Sequence, residues 1–163
     1  MAPSSTTLAV AAGASILASG WAAGMSASFN LLGIPSILHG NAPSEVAVRQ
    51  WRFQFNRGQA IIPGLGLLNA LNYWNVAYHC WSRGLEWRGF AAAGVSTFFM
   101  IPFTLIFIAG TNKKLLEASS EGREKTLSDA SARSLIKKWG DLNIARAVVP
   151  VVGTGLALWN FCL

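Results

Sequence analysis

Charged side chains are scarce in this sequence. Asp, Glu, Lys and Arg make up 12% of the 163 residues, about half the share in an ordinary soluble domain, whereas apolar residues make up 52%. None of these charged types occurs in residues 1–44, 58–82, 89–111 or 147–163. A transmembrane helix needs about 20 mostly apolar residues to cross roughly 30 Å of hydrocarbon. The charge-free runs therefore exclude a soluble globule and predict a multi-pass integral membrane protein in contact with the lipid bilayer.

Cysteine and histidine are also rare, with two residues of each type. Cys80 and Cys162 have neither metal-binding nor redox spacing, and we expect free thiols rather than a disulfide. No His, Cys and carboxylate group has metal-ligand spacing, and the chain has no glycine-rich dinucleotide loop or nucleophile elbow. The sequence therefore predicts no metal site and no bound organic cofactor.

The apolar runs predict an all-α fold, a four-transmembrane-helix bundle that forms a single domain over residues 1–163. The spans are expected at about residues 7–31, 58–80, 89–110 and 143–162. Cytosolic helical extensions are expected before spans two and four. Four helix breakers should end the first helix after span one: Gly33, Pro35, Gly40 and Pro43.

The first apolar segment is interpreted as a span rather than a signal peptide. It lacks a basic N-terminal region, and its apolar stretch is longer than the usual length of about 7–15 residues. Gly20, Gly24 and Ser28 recur every four positions, a spacing of small residues that lets helices approach closely. We expect this stripe to pack inside the bundle, with formation of a homo-oligomer as the alternative.

The positions of lysine and arginine predict the orientation in the membrane. The N-terminal tail has none, the second connection has Arg83 and Arg88, and the first has Arg49, Arg52 and Arg57. The third connection, with its turn-rich residues 119–131, carries the largest set: Lys113, Lys114, Arg123, Lys125, Arg133, Lys137 and Lys138. The positive-inside rule places connections one and three in the cytosol. The net charge of +6 therefore reflects topology rather than nucleic-acid binding, and the lack of a mitochondrial-type presequence favours the endoplasmic reticulum.

Polar and aromatic residues gather at the cytosolic ends of three segments. Trp139, Asn143 and Arg146 are spaced i, i+4 and i+7 on the helix entering span four, so they share one face. The helix entering span two and the end of span three add further candidates at the same depth: Trp51, Phe55, Arg57, Thr111 and Asn112. An arginine at membrane depth is expensive and by default faces the protein interior, the alternative being that it snorkels to lipid phosphates. These residues predict a half-buried pocket.

Three sequence blocks resemble the signature blocks of the anthrone oxygenase family, small four-span membrane proteins common in fungal polyketide gene clusters. The blocks are RQWRFQFNRGQAIIP, IPFTLIFIAGTNKKLLE and LIKKWGDLNIARAVVP, and the resemblance extends over about residues 20–158. The pattern W-G-x-L-N-x-x-R in the third block is the most specific. The family pattern carries over to ten positions: Trp51, Arg57, Gly58, Pro102, Thr104, Asn112, Trp139, Gly140, Asn143 and Arg146. Phe55 is a departure, because relatives often carry tyrosine there, so a phenolic proton donor is missing.

The resemblance implies oxidation of an anthrone, an aromatic polyketide, to an anthraquinone with molecular oxygen and without a bound metal or organic cofactor. Such an enzyme needs a base, a cationic site for the substrate anion and an apolar pocket. Arg57 or Arg146 would stabilise the developing oxyanion, and Asn112 and Asn143 would donate further hydrogen bonds.

Four residues are predicted to contact the substrate itself: Trp51, Phe55, Trp139 and Thr111. The tryptophans would stack on its tricyclic ring. His39 is the first candidate for the base because histidine titrates near neutral pH, and Asp141 is the second.

Two other classes of function stay open. A cofactor-free cyclase or isomerase would act on another polyketide or terpenoid intermediate, and it would differ from an oxygenase by consuming no oxygen. A small transporter or scaffold is the other class. Polar residues near the membrane midplane, typical of transporters, are few here, which counts against transport.

Overall fold

The computed structural model describes residues 5–40, 42–120 and 127–162, and these residues form four long helices and no strand. The helices are α1 (Ser5–His39), α2 (Ser44–Trp81), α3 (Arg88–Ala118) and α4 (Asp129–Cys162). The all-α prediction is confirmed. By length and composition, three of these helices can cross a membrane, namely α1, α3 and α4. The protein is therefore a helical membrane protein.

Helix α1 continues past the residues that were expected to end it. It is a regular α-helix over Ser5–Ser28, widens into a π-helical turn over Phe29–Gly33 and is regular again over Ile34–His39. The prediction that Gly33 and Pro35 end the helix was wrong. Pro35 follows the widened turn, where the backbone hydrogen bonds are already rearranged, so its missing N–H does not break the helix.

Helix α3 contains a second widened turn. Its segments are Arg88–Phe98, Met100–Phe103, the π-helical turn Thr104–Ile108, and Ala109–Ala118. The helix therefore extends beyond the predicted end of span three. The turn-rich segment predicted at residues 119–131 lies partly outside the described residues, and helix α4 begins within it at Asp129.

The chain divides into two compact units. The first comprises Met1–Gly24, Ile62–Ile101 and Ala147–Leu163, and the second comprises Met25–Ile61 and Pro102–Arg146. Each unit has its own buried core. The second unit contains every residue predicted for the functional site.

In the first unit, two asparagines of α2 are paired with α1. The Asn69 amide donates to Ser19 Oγ at 2.7 Å and to the Ser15 carbonyl at 3.2 Å. The Asn72 amide donates to Ser15 Oγ at 2.6 Å, and the Tyr73 hydroxyl lies 3.0 Å from Ser19 Oγ. Asn69 and Asn72, which make α2 less apolar, thus find their hydrogen-bond acceptors on α1 within this unit.

The small-residue stripe of α1 does not lie on its packing face. No atom lies within 4 Å of a Cβ added at Gly20 or Gly24, and Ser28 is exposed. The prediction that this stripe packs inside the bundle was wrong. The buried face of α1 carries Ser15 and Ser19 instead, because the asparagines of α2 require hydrogen-bond partners. Both cysteines are free, as predicted.

In the second unit, arginines hold the C-terminal ends of two helices. Arg52 donates to the Ser119 carbonyl at the end of α3 at 2.8 Å. Arg133 donates to the Leu38 carbonyl at 2.7 Å, at the end of α1, and to the Ala42 carbonyl at 3.0 Å, in the connection that follows. The last carbonyls of a helix lack intrahelical partners and carry partial negative charge, so a guanidinium stabilises them. These contacts fix the helix ends that surround the candidate site.

Candidate functional site

Three aromatic rings meet in the core of the second unit. The Trp51 ring stacks on Phe55, one helical turn away, with centroids 5.0 Å apart and an interplanar angle of 20°. Trp139 of α4 meets Trp51 edge-on at 5.7 Å and 90°. Both are favourable aromatic geometries. Trp51 has 0% exposed surface, so its ring faces support its two neighbours, and its indole N–H has no hydrogen-bond partner among the described residues.

Two asparagines fix the position of Trp139. Its indole N–H donates to Asn112 Oδ1 of α3 at 2.9 Å, and the Asn143 amide donates to the Trp139 carbonyl at 2.9 Å. Asn143 is buried, and so is Thr111, which precedes Asn112. The structure therefore brings together half of the ten predicted site residues: Trp51, Phe55, Asn112, Trp139 and Asn143.

Arg146 is a half-buried cation that forms no salt bridge with a carboxylate of the described residues. One guanidinium nitrogen donates to Thr104 Oγ1 at 3.2 Å, where the π-helical turn of α3 begins. The salt bridges among the residues that the structure describes are Arg88–Glu86 and Lys137–Asp141. A guanidinium carries five N–H donors, and the hydrogen bond to Thr104 uses one of those on Arg146 within the described part of the chain. This arrangement suits an anionic or strongly polarised oxygen atom of a ligand.

Three predicted residues lie apart from these buried groups. Arg57 is exposed, with its guanidinium 5.4 Å from the ring of Phe53, itself 64% exposed. His39 is exposed at the last residue of α1. Asp141 is exposed and pairs with Lys137 at 2.8 Å. The structure does not bring these three side chains into the aromatic cluster.

Sequence reasoning missed Asn30 and Gln54. Both side chains have a buried oxygen that no described residue pairs with, and Asn30 lies in the π-helical turn of α1. Asn30 stands among apolar residues near the predicted end of span one, where a single asparagine at membrane depth was the available signal. By helical spacing Gln54 shares a face with Arg57, next to the face of Trp51 and Phe55, but spacing alone predicted no role for it at the site.

The chemistry available at the site is that of hydrogen-bond donors, one cation and apolar rings. The buried polar side chains are amides, indoles and a hydroxyl, with Arg146 beside them. Over residues 5–40, 42–120 and 127–162, no three His, Cys, Asp or Glu side chains group as a metal site would require. Such groups can bind an apolar ring and stabilise negative charge on its oxygen.

These features describe a helical membrane protein with an aromatic and amide cluster and, three residues after Asn143 on α4, a half-buried cation. The sequence matches the family model described as anthrone oxygenase over residues 51–156, well over half of the chain. The protein belongs to the anthrone oxygenase family. The matched region includes the whole of the aromatic cluster together with Arg146 and Thr104.

Several fungal proteins are similar to this chain. Monooxygenase hypC of Dothistroma septosporum is 34% identical over 138 residues, which cover 83% of this chain and 74% of the relative. Noranthrone monooxygenase of Aspergillus flavus is 30% identical over 151 residues, covering 90% and 71% respectively. Anthrone oxygenase ptaC of Pestalotiopsis fici is 30% identical over 135 residues, covering 78% and 94%. No solved structure matches the chain.

Proposed function

We propose that this protein oxidises an aromatic polyketide anthrone to the corresponding anthraquinone with molecular oxygen. The observation that carries the proposal is the family match, which spans the aromatic cluster and the half-buried cation Arg146. In the overall reaction the methylene carbon loses two hydrogens and gains one oxygen atom. The second oxygen atom of O₂ leaves as water, so anthrone and O₂ give anthraquinone and water.

Arg146 is proposed to stabilise the substrate anion. Removal of a proton from the methylene group places negative charge on the carbonyl oxygen of the anthrone, which becomes phenolate-like. The guanidinium is oriented by its hydrogen bond to Thr104 and has donors left for that oxygen. One well-placed donor in a site shielded from water contributes about 3 kcal/mol to such a step.

The aromatic cluster is proposed to form the wall of the substrate site. Phe55 is half-buried and offers ring surface, and Trp51 and Trp139 support it. Asn112 accepts from Trp139 through Oδ1, which leaves its NH₂ group as a donor for a substrate oxygen. Asn143 and Thr111 are proposed to complete the polar rim of this wall.

His39 is proposed as the general base, with Asp141 as the second candidate; both are exposed and open to exchange protons with water. For Arg57 the exposed position over Phe53 favours contact with lipid phosphates over a role at the oxyanion.

The reaction is proposed to need no bound metal or organic cofactor. The deprotonated anthrone is electron-rich, and it passes an electron to oxygen directly once the anion has formed. The enzyme then accelerates the reaction by forming and stabilising that anion. The donors near the cluster are amides, indoles and a guanidinium. Such groups stabilise an anion, and this supports a mechanism in which the anion itself reacts with oxygen.

All four helices are proposed to cross the membrane, with the site facing the cytosol of the endoplasmic reticulum. Helix α2 carries Asn69 and Asn72, but their pairing with α1 removes most of the cost of placing them in hydrocarbon. Large apolar side chains are exposed on the other helices, as with Leu17 at 76% and Ile106 at 71%, and these suit contact with lipid tails. The lysine and arginine distribution supports the orientation.

Oxygen uptake tests the proposal. Membranes that contain the protein and membranes without it are supplied with emodin anthrone, and both oxygen consumption and anthraquinone formation are followed. We expect uptake above the spontaneous rate, with one anthraquinone formed per O₂ consumed and no inhibition by metal chelators. Equal rates in the two membranes would refute the oxygenase, and inhibition by chelators would refute the cofactor-free mechanism.

A further inference from the structure

Three buried polar atoms of the second unit have no hydrogen-bond partner within the part of the chain that the structure describes. They are Asn30 Oδ1, Gln54 Oε1 and Trp51 Nε1. Buried polar atoms in native proteins are nearly always paired, because an unpaired one loses its hydration without compensation. Two acceptors and one donor left unpaired in a single core are available to pair with a bound ligand.

Helix packing places these atoms around the π-helical turn of α1. Asn30 and Gly33 both lie in that turn, and a Cβ added at Gly33 would lie 2.5 Å from Gln54 Oε1. Asn30 Oδ1 is 3.7 Å from the equivalent position at Gly140, the residue next to Trp139. Trp51 lies three residues before Gln54 on α2, which puts both on the same side of that helix.

The orientation of the two amides is restricted. The Asn30 NH₂ group donates to the Ser26 carbonyl at 2.8 Å, so its oxygen points away from the backbone of its own helix. The Gln54 amide packs against Gly33, a close approach that the missing side chain of glycine permits. A fixed acceptor distinguishes a ligand with a hydroxyl group from one without it, because the wrong ligand leaves the acceptor buried and unpaired.

We propose that Asn30, Gln54 and Trp51 recognise the phenolic hydroxyls and the neighbouring carbonyl of the anthrone, and so determine which anthrones are accepted. The amide oxygens accept hydrogen bonds from phenolic O–H groups, and the indole N–H donates to a carbonyl or phenolate oxygen. This inference rests on the proposed function. It assigns substrate choice to residues on α1 and α2, separate from the charge stabilisation assigned to Arg146.

Paired substrates and matched variants test the inference. The variants are Gln54→Met and Asn30→Leu, and the controls are Gln50→Met and Asn56→Leu, which alter exposed amides of α2. Each is assayed with 1,8-dihydroxyanthrone and with unsubstituted anthrone. We expect kcat/KM for the dihydroxy substrate to fall about tenfold in each variant, the effect of one lost hydrogen bond, and to stay within about twofold for unsubstituted anthrone. The controls should change neither value.

The outcomes separate this inference from the proposed function. Equal losses on both substrates, or no loss on either, would overturn the recognition site while leaving the oxygenase in place. A wild-type protein inactive on both substrates would overturn the proposed function instead. In that case, quenching of tryptophan fluorescence by 1,8-dihydroxyanthraquinone still tests recognition. About tenfold weaker binding by Gln54→Met than by Gln50→Met supports the site, and equal binding refutes it. If Asn30→Leu does not accumulate, Gln54→Met decides alone.

Discussion

Replacing Arg146 by methionine is the most informative perturbation of the proposed mechanism. Methionine keeps an unbranched apolar stem and removes the guanidinium. The hydrogen bond that this group makes within the described protein is the one to Thr104 at 3.2 Å, and it has no salt bridge. Its loss should therefore lower the free energy of unfolding by only about 1 kcal/mol. A large loss of activity in this variant would then have to come from chemistry.

The size of the expected effect follows from the position of the guanidinium. Removing one oxyanion donor from a dry active site lowers kcat by about 10²–10³. Arg146 is half-buried rather than fully buried, so we expect the lower figure, about 100-fold, or roughly 2.7 kcal/mol. If the lost energy is the stabilisation of the substrate anion, higher pH should compensate for it. The pH at which the variant reaches half its maximal rate should then rise by about two units.

The assay is oxygen uptake with a dihydroxyanthrone across a pH series, corrected for the spontaneous rate at each pH. Arg49→Met is the matched control, because Arg49 is an exposed arginine whose hydrogen bond is to the Glu45 carbonyl of its own helix. Thermal stability of both variants is measured in the same detergent. A loss of less than about threefold in a folded Arg146→Met protein, or the same loss in Arg49→Met, would refute the role of Arg146.

Two further predictions concern the support of the site and the base. Trp139→Phe removes the indole donor and leaves Asn112 Oδ1 unpaired, so thermal unfolding should show a loss of about 1–2 kcal/mol. In Asn112→Leu/Trp139→Phe the two losses should be clearly less than additive, and additive losses would contradict a working hydrogen bond. Replacing His39 and Asp141 together by alanine should lower kcat by about 10²-fold or more and flatten the pH profile. Unchanged turnover would mean that solvent removes the proton, leaving only stabilised autoxidation.

The helical fold was predictable because its signal is redundant along the chain. Each charge-free run indicates a helix on its own, and α4 begins well before the predicted span four, where a helical extension was expected. The course of α1 was not predictable in the same way. Gly33 and Pro35 are helix breakers in water, but a π-helical turn and the packing of Gln54 on Gly33 carry the helix through them. That packing depends on a second helix, so local sequence could not reveal it.

The candidate site was predictable where its members follow one helix face. Spacing alone grouped Trp51 with Phe55 and Trp139 with Asn143, and the structure shows both pairs in contact. Spacing could not show that Arg57 lies on the exposed side of α2. It groups residues by helix face, but the packing of other helices determines which face of α2 is buried. The burial of Asn30 could not be predicted for a related reason. The regular α-helix ends at Ser28, and the π-helical turn that follows changes which residues share a face.

The pairing of Asn69 and Asn72 with α1 has a consequence for the biogenesis of the protein. Helix α2 leaves the ribosome after α1. On the proposed topology, moving its asparagines into hydrocarbon costs free energy, and their hydrogen bonds to Ser15 and Ser19 offset most of that cost. The two helices should therefore partition into the bilayer as a hairpin rather than one at a time. The serines of α1 therefore promote the membrane insertion of α2, and they can do so because α1 is synthesised before α2.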